Sequence, residues 1–194
     1  MMNFGIAGVN GGGKDLIAEI LQEEGFFVAS ATDMLAKGLR EKGWPIDREH
    51  KAKLSTEWRK KYGMGAVVDK GLELYEPVKD EYEGFAVGSL RHPGEADRIH
   101  QLPNGLVIWV HADPEVAYSR IAGANRGADK AAEDQVTYEE FLAQQQREMQ
   151  HLSGDTATLN IAGVKERADI FLENNGNDKE AFREYLLGKL GLSS

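Results

Sequence analysis

The chain has no cysteine, which excludes disulfides and thiolate metal sites and removes any sign of an oxidising compartment. It has no apolar run approaching the length needed to cross a bilayer. The opening "MMNFGIAG" carries neither the basic n-region nor the cleavage site of a secretory leader. A cytoplasmic protein with no membrane partner is the expectation. Basic charge is also in deficit: 23 Lys and Arg stand against 32 Asp and Glu, and the net charge of -9 repels a nucleic-acid backbone unless the bases gather on one face. The longest basic cluster, Arg59-Lys60-Lys61, is commonly a solvated helix face. Nucleic acid is therefore set aside as a partner, although a few placed arginines suffice for a small phosphate. The histidines, at 50, 92, 100, 111 and 151, have no metal-like spacing. No repeat, low-complexity tract or Pro/Gly/Ser-rich linker divides the 194 residues, so one domain over 1–194 is expected.

What the chain does have is alternation of strand and helix patterns. "NFGIAGV" (3–9) is a short apolar run ending in glycine, and "DLIAEILQEEG" (15–25) carries apolar residues at helical period up to Gly25. "FFVAS" (26–30) reads as a second strand and "TDMLAKGLREKG" as a helix stopped by Gly43. From 48 to 76 the sequence is polar with helical period, broken into two helices by Gly63 and Gly65. "GFAVGS" (84–89) and "GLVIWVHA" (105–112) are continuous apolar runs, the mark of strands buried on both faces of a parallel sheet. "YEEFLAQQQREMQ" (138–150) reads as a charged helix, "ADIFLENNG" (168–176) as a last strand and loop, and "KEAFREYLLGKL" (179–190) as a closing helix. Strands alternating with helices predict a three-layer α/β/α fold around a parallel sheet of five strands.

The loop "GVNGGGKDL" between the first strand and helix satisfies G-x-x-x-x-G-K from Gly8 to Lys14. Glycines allow the tight turn that aims backbone N–H groups at phosphate oxygens, the helix N-terminus adds a favourable dipole, and Lys14 reaches toward β- and γ-phosphates. The dinucleotide alternative fits poorly, because "GVNGGG" is a weak G-x-G-x-x-G and the second strand ends in Ala29-Ser30 without an acid. A plain strand-to-helix turn is the remaining alternative. Where the phosphate motif has Ser or Thr to ligate Mg²⁺, this chain has Asp15. Asp15 has two readings: a metal ligand, direct or through water, or a first-turn helix acid.

With these residues the chain resembles the nucleoside-monophosphate-kinase-like branch of P-loop proteins. Some members, such as phage-type deoxynucleoside monophosphate kinases, also carry Gly-Lys-Asp at the loop, and the likeness is strongest to archaeal small kinases described as adenylate-kinase-like or dephospho-CoA-kinase-like. "VASATDMLAKGLREKG" (28–43), "EWRKKYGMGAVVDK" (57–70), "GSLRHPGE" (88–95) and "VIWVHADPEVAYSRIAGANRG" (107–127) are similar to the family's segments in the same order. The departures are Thr32 for a glycine, Ala36 for an arginine and Gly88 for the aspartate that anchors metal. The resemblance implies ATP and Mg²⁺ as cofactors. Phosphates would lie on Gly8, Asn10, Gly11, Gly12, Gly13, Lys14, Asp15 and Leu16, with the metal at Asp15. It further implies an acceptor-binding helical insert at about 44–82 and a lid at about 122–150.

Phosphoryl transfer depends on cations placed around the transferring group, so the arginines carry the reading. Lys14, Arg91, Arg120 and Arg126 are the catalytic candidates, Arg91 at the carboxyl end of the third strand and the other two arginines flanking "IAGAN" at the lid entrance. Asp33, Arg59 and Arg91 are the acceptor-binding candidates. Asp33 is equally placed to cap its helix, and Arg59 to be a surface base. Asp113-Pro114 is explained locally as a helix start. The expected function is ATP-dependent phosphoryl transfer to a small molecule, a nucleoside or deoxynucleoside monophosphate or dephospho-coenzyme A. The alternatives are a non-catalytic nucleotide-binding protein and an ATPase whose acceptor is water. On oligomeric state the sequence is silent.

Overall fold

A computed structural model describes residues 1–122, 136–149 and 154–192. Five parallel strands form one sheet: β1 (Met2–Gly8), β2 (Phe26–Ser30), β3 (Gly84–Gly88), β4 (Gly105–His111) and β5 (Ile170–Glu173), in the order β2-β3-β1-β4-β5. The predicted three-layer architecture is the one found. Both faces of the sheet are buried, and alternate side chains of each strand go to opposite faces. Phe4, Ile6, Ala86, Ile108 and Val110 pack with α1 (Lys14–Glu23) and α9 (Lys179–Leu190) in one core. Ala7, Phe85, Val87, Val107 and Trp109 pack on the other face with α4 (Ala66–Tyr75), α5 (Pro93–His100) and α8 (Ile161–Lys165).

The remaining helices are α2 (Ala31–Lys42), α3 (Arg48–Tyr62), α6 (Pro114–Ala122) and α7 (Tyr138–Met149), with a 3₁₀ turn over Glu76–Glu81. Their ends follow from local chemistry. Ser30 caps α2 by accepting from the Asp33 N–H at 3.2 Å, and Gly43 ends it in the left-handed conformation. Asp47 caps α3 by accepting from the His50 N–H at 2.8 Å. Asp33 is thus the third residue of α2 and not its cap, because the helix starts at Ala31. Helices α3 and α4 intervene between α2 and β3, and α6 packs on α7 through Ile121 and Phe141.

Strand β1 lies at the centre, with the chain running first to β2 and β3 on one side and then to β4 and β5 on the other. Such a reversal opens a crevice at the carboxyl ends of the strands flanking it. The glycine loop after β1, the Ser89-Leu90-Arg91 turn after β3 and the start of α6 after β4 all lie at that end.

Candidate active site

The glycine loop is held in one shape by packing. Gly13 precedes α1 with φ 107°, a conformation costly for residues with a Cβ, and a Cβ there would collide with the side-chain amide of Asn174. Gly8 has φ 149°, and a Cβ there would strike the carbonyl of Val110. No side chain caps α1, and the first-turn N–H groups of a helix have no intrahelical acceptor, so this end favours an anion. Lys14 folds back over the loop, donating from Nζ to the carbonyls of Gly8 (3.0 Å) and Val9 (2.7 Å).

In front of the loop is a cavity of about 280 Å³. Five of the side chains lining it are basic: Lys14, Arg48 and Lys51 from α3, Arg91, and Arg120 from α6; Asp15 is the one acid among its lining residues. A second cavity of about 370 Å³ lies against α2 and is bounded by Asp33, Arg40 and Gly88. Lys14, Asp15, Thr32, Lys51 and Ser89 line both cavities. Arg91 and Arg48 both pair with Glu148 of α7, Arg91 at 3.7 Å.

Arg120 reaches beneath the loop. Its guanidinium donates to the carbonyls of Asn174 (2.8 Å) and Gly176 (2.6 Å). Buried Asn174 in turn donates to the Gly12 carbonyl at 3.0 Å. Arg120, Asn174, Asn177 and Leu16 border a third hollow of about 290 Å³ on the far side of the loop.

Arg59 is not on either cavity. Its side chain is 1% exposed and pairs with Glu95, 2% exposed, at 2.8 Å. It also donates to the Ala157 carbonyl (2.6 Å) and to Ser55 Oγ (2.9 Å). Glu95 accepts from the Arg91 N–H at 2.8 Å and the His92 N–H at 3.1 Å through its other oxygen. Burial pushes the Glu95 carboxyl above its ordinary value and the Arg59 guanidinium below its own, against the attraction between them. Every contact that Glu95 makes is to an N–H donor, which identifies the group as a carboxylate. His92 Nδ1 accepts from the Gly94 N–H (3.0 Å), so its proton sits on Nε2 and is donated to the Thr156 carbonyl (2.7 Å). The Asn160 N–H donates to the Arg91 carbonyl at 2.9 Å. The Arg91 backbone is therefore fixed from both sides, while its side chain lines the basic cavity.

No family model matches the chain. It is 24% identical over 178 residues to the UPF0200 protein TK1334 of Thermococcus kodakarensis, covering 90% of this chain and 89% of that one. Among solved structures, TT1252 from Thermus thermophilus superposes with a TM-score of 0.59 at 21% identity, covering 100% of this chain and 98% of its own. The shikimate kinase of Acinetobacter baumannii, solved with shikimate, gives 0.56 at 14% identity, covering 98% and 93%. The fold is that of the P-loop kinases.

The second cavity, which Lys14 also lines, presents the Asp15 and Asp33 carboxylates and the Thr32 and Ser89 hydroxyls. They are hard donors of the kind Mg²⁺ takes, and among the described residues no cluster of three acids or histidines forms an all-protein metal cage. Mg²⁺ is ordinarily held by one or two carboxylates together with substrate phosphates and water, so the donor set fits it. Lys14, Asp15, Arg91 and Arg120 are brought to one cavity, with Asn10, Gly11 and Gly13 on its wall, and Asp33 stands on the adjoining one. Arg126 lies outside the described residues. Arg48, Lys51, Thr32 and Ser89 also line these cavities, Asn174 borders the third hollow, and Glu148 pairs with Arg48 and Arg91. Arg48 and Lys51 sit one turn apart just after the Asp47 cap, a spacing that gives both the same helix face.

Proposed function

We propose that this protein is a small-molecule kinase that passes the γ-phosphoryl group of ATP to an anionic acceptor. The convergence of Lys14, Arg48, Lys51, Arg91 and Arg120 on one cavity, in a chain of net charge -9, carries the reading. Gathering cations against their mutual repulsion is useful where a polyphosphate or its transfer state must be neutralised. The triphosphate would lie on Gly8 to Leu16, with the base in the hollow between Arg120 and Asn177. The acceptor's anionic group would meet Arg48, Lys51 and Arg91, with Asp33 toward its far end. Arg126, outside the described residues, would add a further cation for the transferring group. Arg59 supports the acceptor side from behind, through Glu95, and does not touch it.

An acceptor oxygen attacks the γ-phosphorus in line as the bond to the β–γ bridging oxygen breaks; ADP leaves and the acceptor's proton passes to water. Lys14 releases the Gly8 and Val9 carbonyls to reach the phosphates, and the arginines hold the equatorial oxygens, so no covalent enzyme intermediate is required. Mg²⁺, when bound with the nucleotide, offsets phosphate charge; Asp15 and the neighbouring oxygens would hold it. The acceptor classes that fit are nucleoside and deoxynucleoside monophosphates, dephospho-coenzyme A, and phosphorylated or carboxylated hydroxy compounds, the last in keeping with the shikimate-bound neighbour.

A coupled ADP-release screen over these classes tests the proposal. One class should accelerate release, and Lys14→Ala should lower that rate by roughly 10²–10³-fold. Release unaffected by every acceptor, or unchanged in Lys14→Ala, would overturn it. One observation favours a second reading, a nucleotide-binding protein without turnover. Gly88 ends β3 with open space and no carboxylate, the nearest atom to a built Cβ being the Ala29 carbonyl oxygen at 3.9 Å. ATP binding with no ADP release across the panel would select that reading.

A further inference from the structure

The two cavities meet where a phosphoryl group would have to pass, and one residue at their junction is held in an unfavourable backbone conformation. Ser89 has φ 66°. Asn104, with φ 48°, is the other non-glycine residue with positive φ among the described residues, and asparagine tolerates that region where serine does so less readily. The next two residues impose the strain: the Leu90 N–H donates to the Ile6 carbonyl at 3.0 Å and the Arg91 N–H to Glu95 at 2.8 Å. Glycine would make the same turn without strain. The Ser89 hydroxyl makes no hydrogen bond to another described residue, so no hydrogen bond among them accounts for a serine here. Strain that persists without a structural return marks a functional position.

We propose that Ser89 belongs to the transfer site and that its hydroxyl, together with the Asp15 carboxylate, ligates the divalent cation carried by the nucleotide. The proposal rests on the kinase reading of the same site. Position 15 offers a carboxylate where a hydroxyl ligand is expected, and Ser89 restores a hydroxyl to the same junction. A neutral oxygen there adds a hard ligand without cancelling Lys14 and Lys51, whose charge the phosphates need.

Thermal melting and calorimetric titration of ATP into the full chain, with Mg²⁺, with Cd²⁺ and without metal, test the assignment on wild type, Ser89→Gly, Ser89→Ala and Ser89→Cys. Relief of strain should raise the melting temperature of Ser89→Gly by about 2 °C. Ser89→Gly and Ser89→Ala should bind Mg²⁺–ATP about tenfold more weakly and metal-free ATP unchanged. Ser89→Cys should share the Mg²⁺ defect and recover in Cd²⁺, since a thiolate prefers the softer ion and the chain has no other cysteine. Wild-type Mg²⁺–ATP affinity in Ser89→Ala, or a Cys variant equally weak with both metals, would overturn the assignment. A wild-type chain that binds no ATP under any condition would instead overturn the kinase reading beneath it.

Discussion

Removing Arg59 should unfold the protein more easily and leave the acceptor site chemically intact. Its guanidinium and the Glu95 carboxylate are 1% and 2% exposed and 2.8 Å apart. Arg59→Met leaves the carboxylate buried with two backbone N–H donors and no counter-charge, a loss of about 3–5 kcal/mol. For a chain of this size that is a fall in melting temperature of roughly 6–20 °C. Glu95→Gln keeps an oxygen for the two backbone N–H groups but turns an amide N–H toward Arg59 and leaves that guanidinium without its counter-charge, so it should cost a similar amount. The double variant Arg59→Met/Glu95→Gln carries no buried charge, so it should be more stable than Arg59→Met alone, a reversal no additive model yields. Urea unfolding of the three variants at neutral pH measures all three values. If Arg59→Met unfolds within about 1 kcal/mol of wild type while raising an acceptor's KM, Arg59 is an acceptor contact and not a buried support.

Two further expectations concern charged groups nearer the surface. The Lys60 ammonium beside Asp155, with the Ala157 N–H, holds the Asp155 carboxyl below its ordinary value, and the His50 N–H does the same for Asp47. Both folded values lie below the unfolded ones, so their contribution is complete above the unfolded value and lost as pH falls below it through the folded values. Asp155→Asn and Asp47→Asn should therefore flatten the fall in stability with pH across that window, and melting curves with the wild-type slope would count against the assignment. Glu148 pairs with both Arg48 and Arg91, so Glu148→Gln should expose more positive potential and tighten inorganic phosphate binding by about 2–10-fold at low salt. Weaker binding in a competition titration would show that Glu148 organises the arginines for the anion.

The parts of the fold legible in sequence are those with a local signal. Phe26–Ser30 and Lys179–Leu190 are bounded by glycine and acidic caps, and the apolar runs of β3 and β4 reflect burial on both faces. The five-residue helix Ile161–Lys165 and the 3₁₀ turn Glu76–Glu81 are too short to show a period. Within the site, the glycine loop and Lys14 are contiguous and visible in the sequence. Arg59 is not legible in the same way, because "EWRKKYG" looks like a solvated face and its partners, Glu95 and Ala157, are 36 and 98 residues away. Asn174 is hidden in a polar loop for the same reason, since its contact with Gly12 spans 162 residues.

The most direct test of the central claim is calorimetric titration of ATP with Mg²⁺ into the wild-type chain and Lys14→Ala. One site is expected in the wild type with Kd on the order of micromolar, weakened at least tenfold in the variant. Equal affinity in the two proteins, or no binding to the wild type, would contradict it.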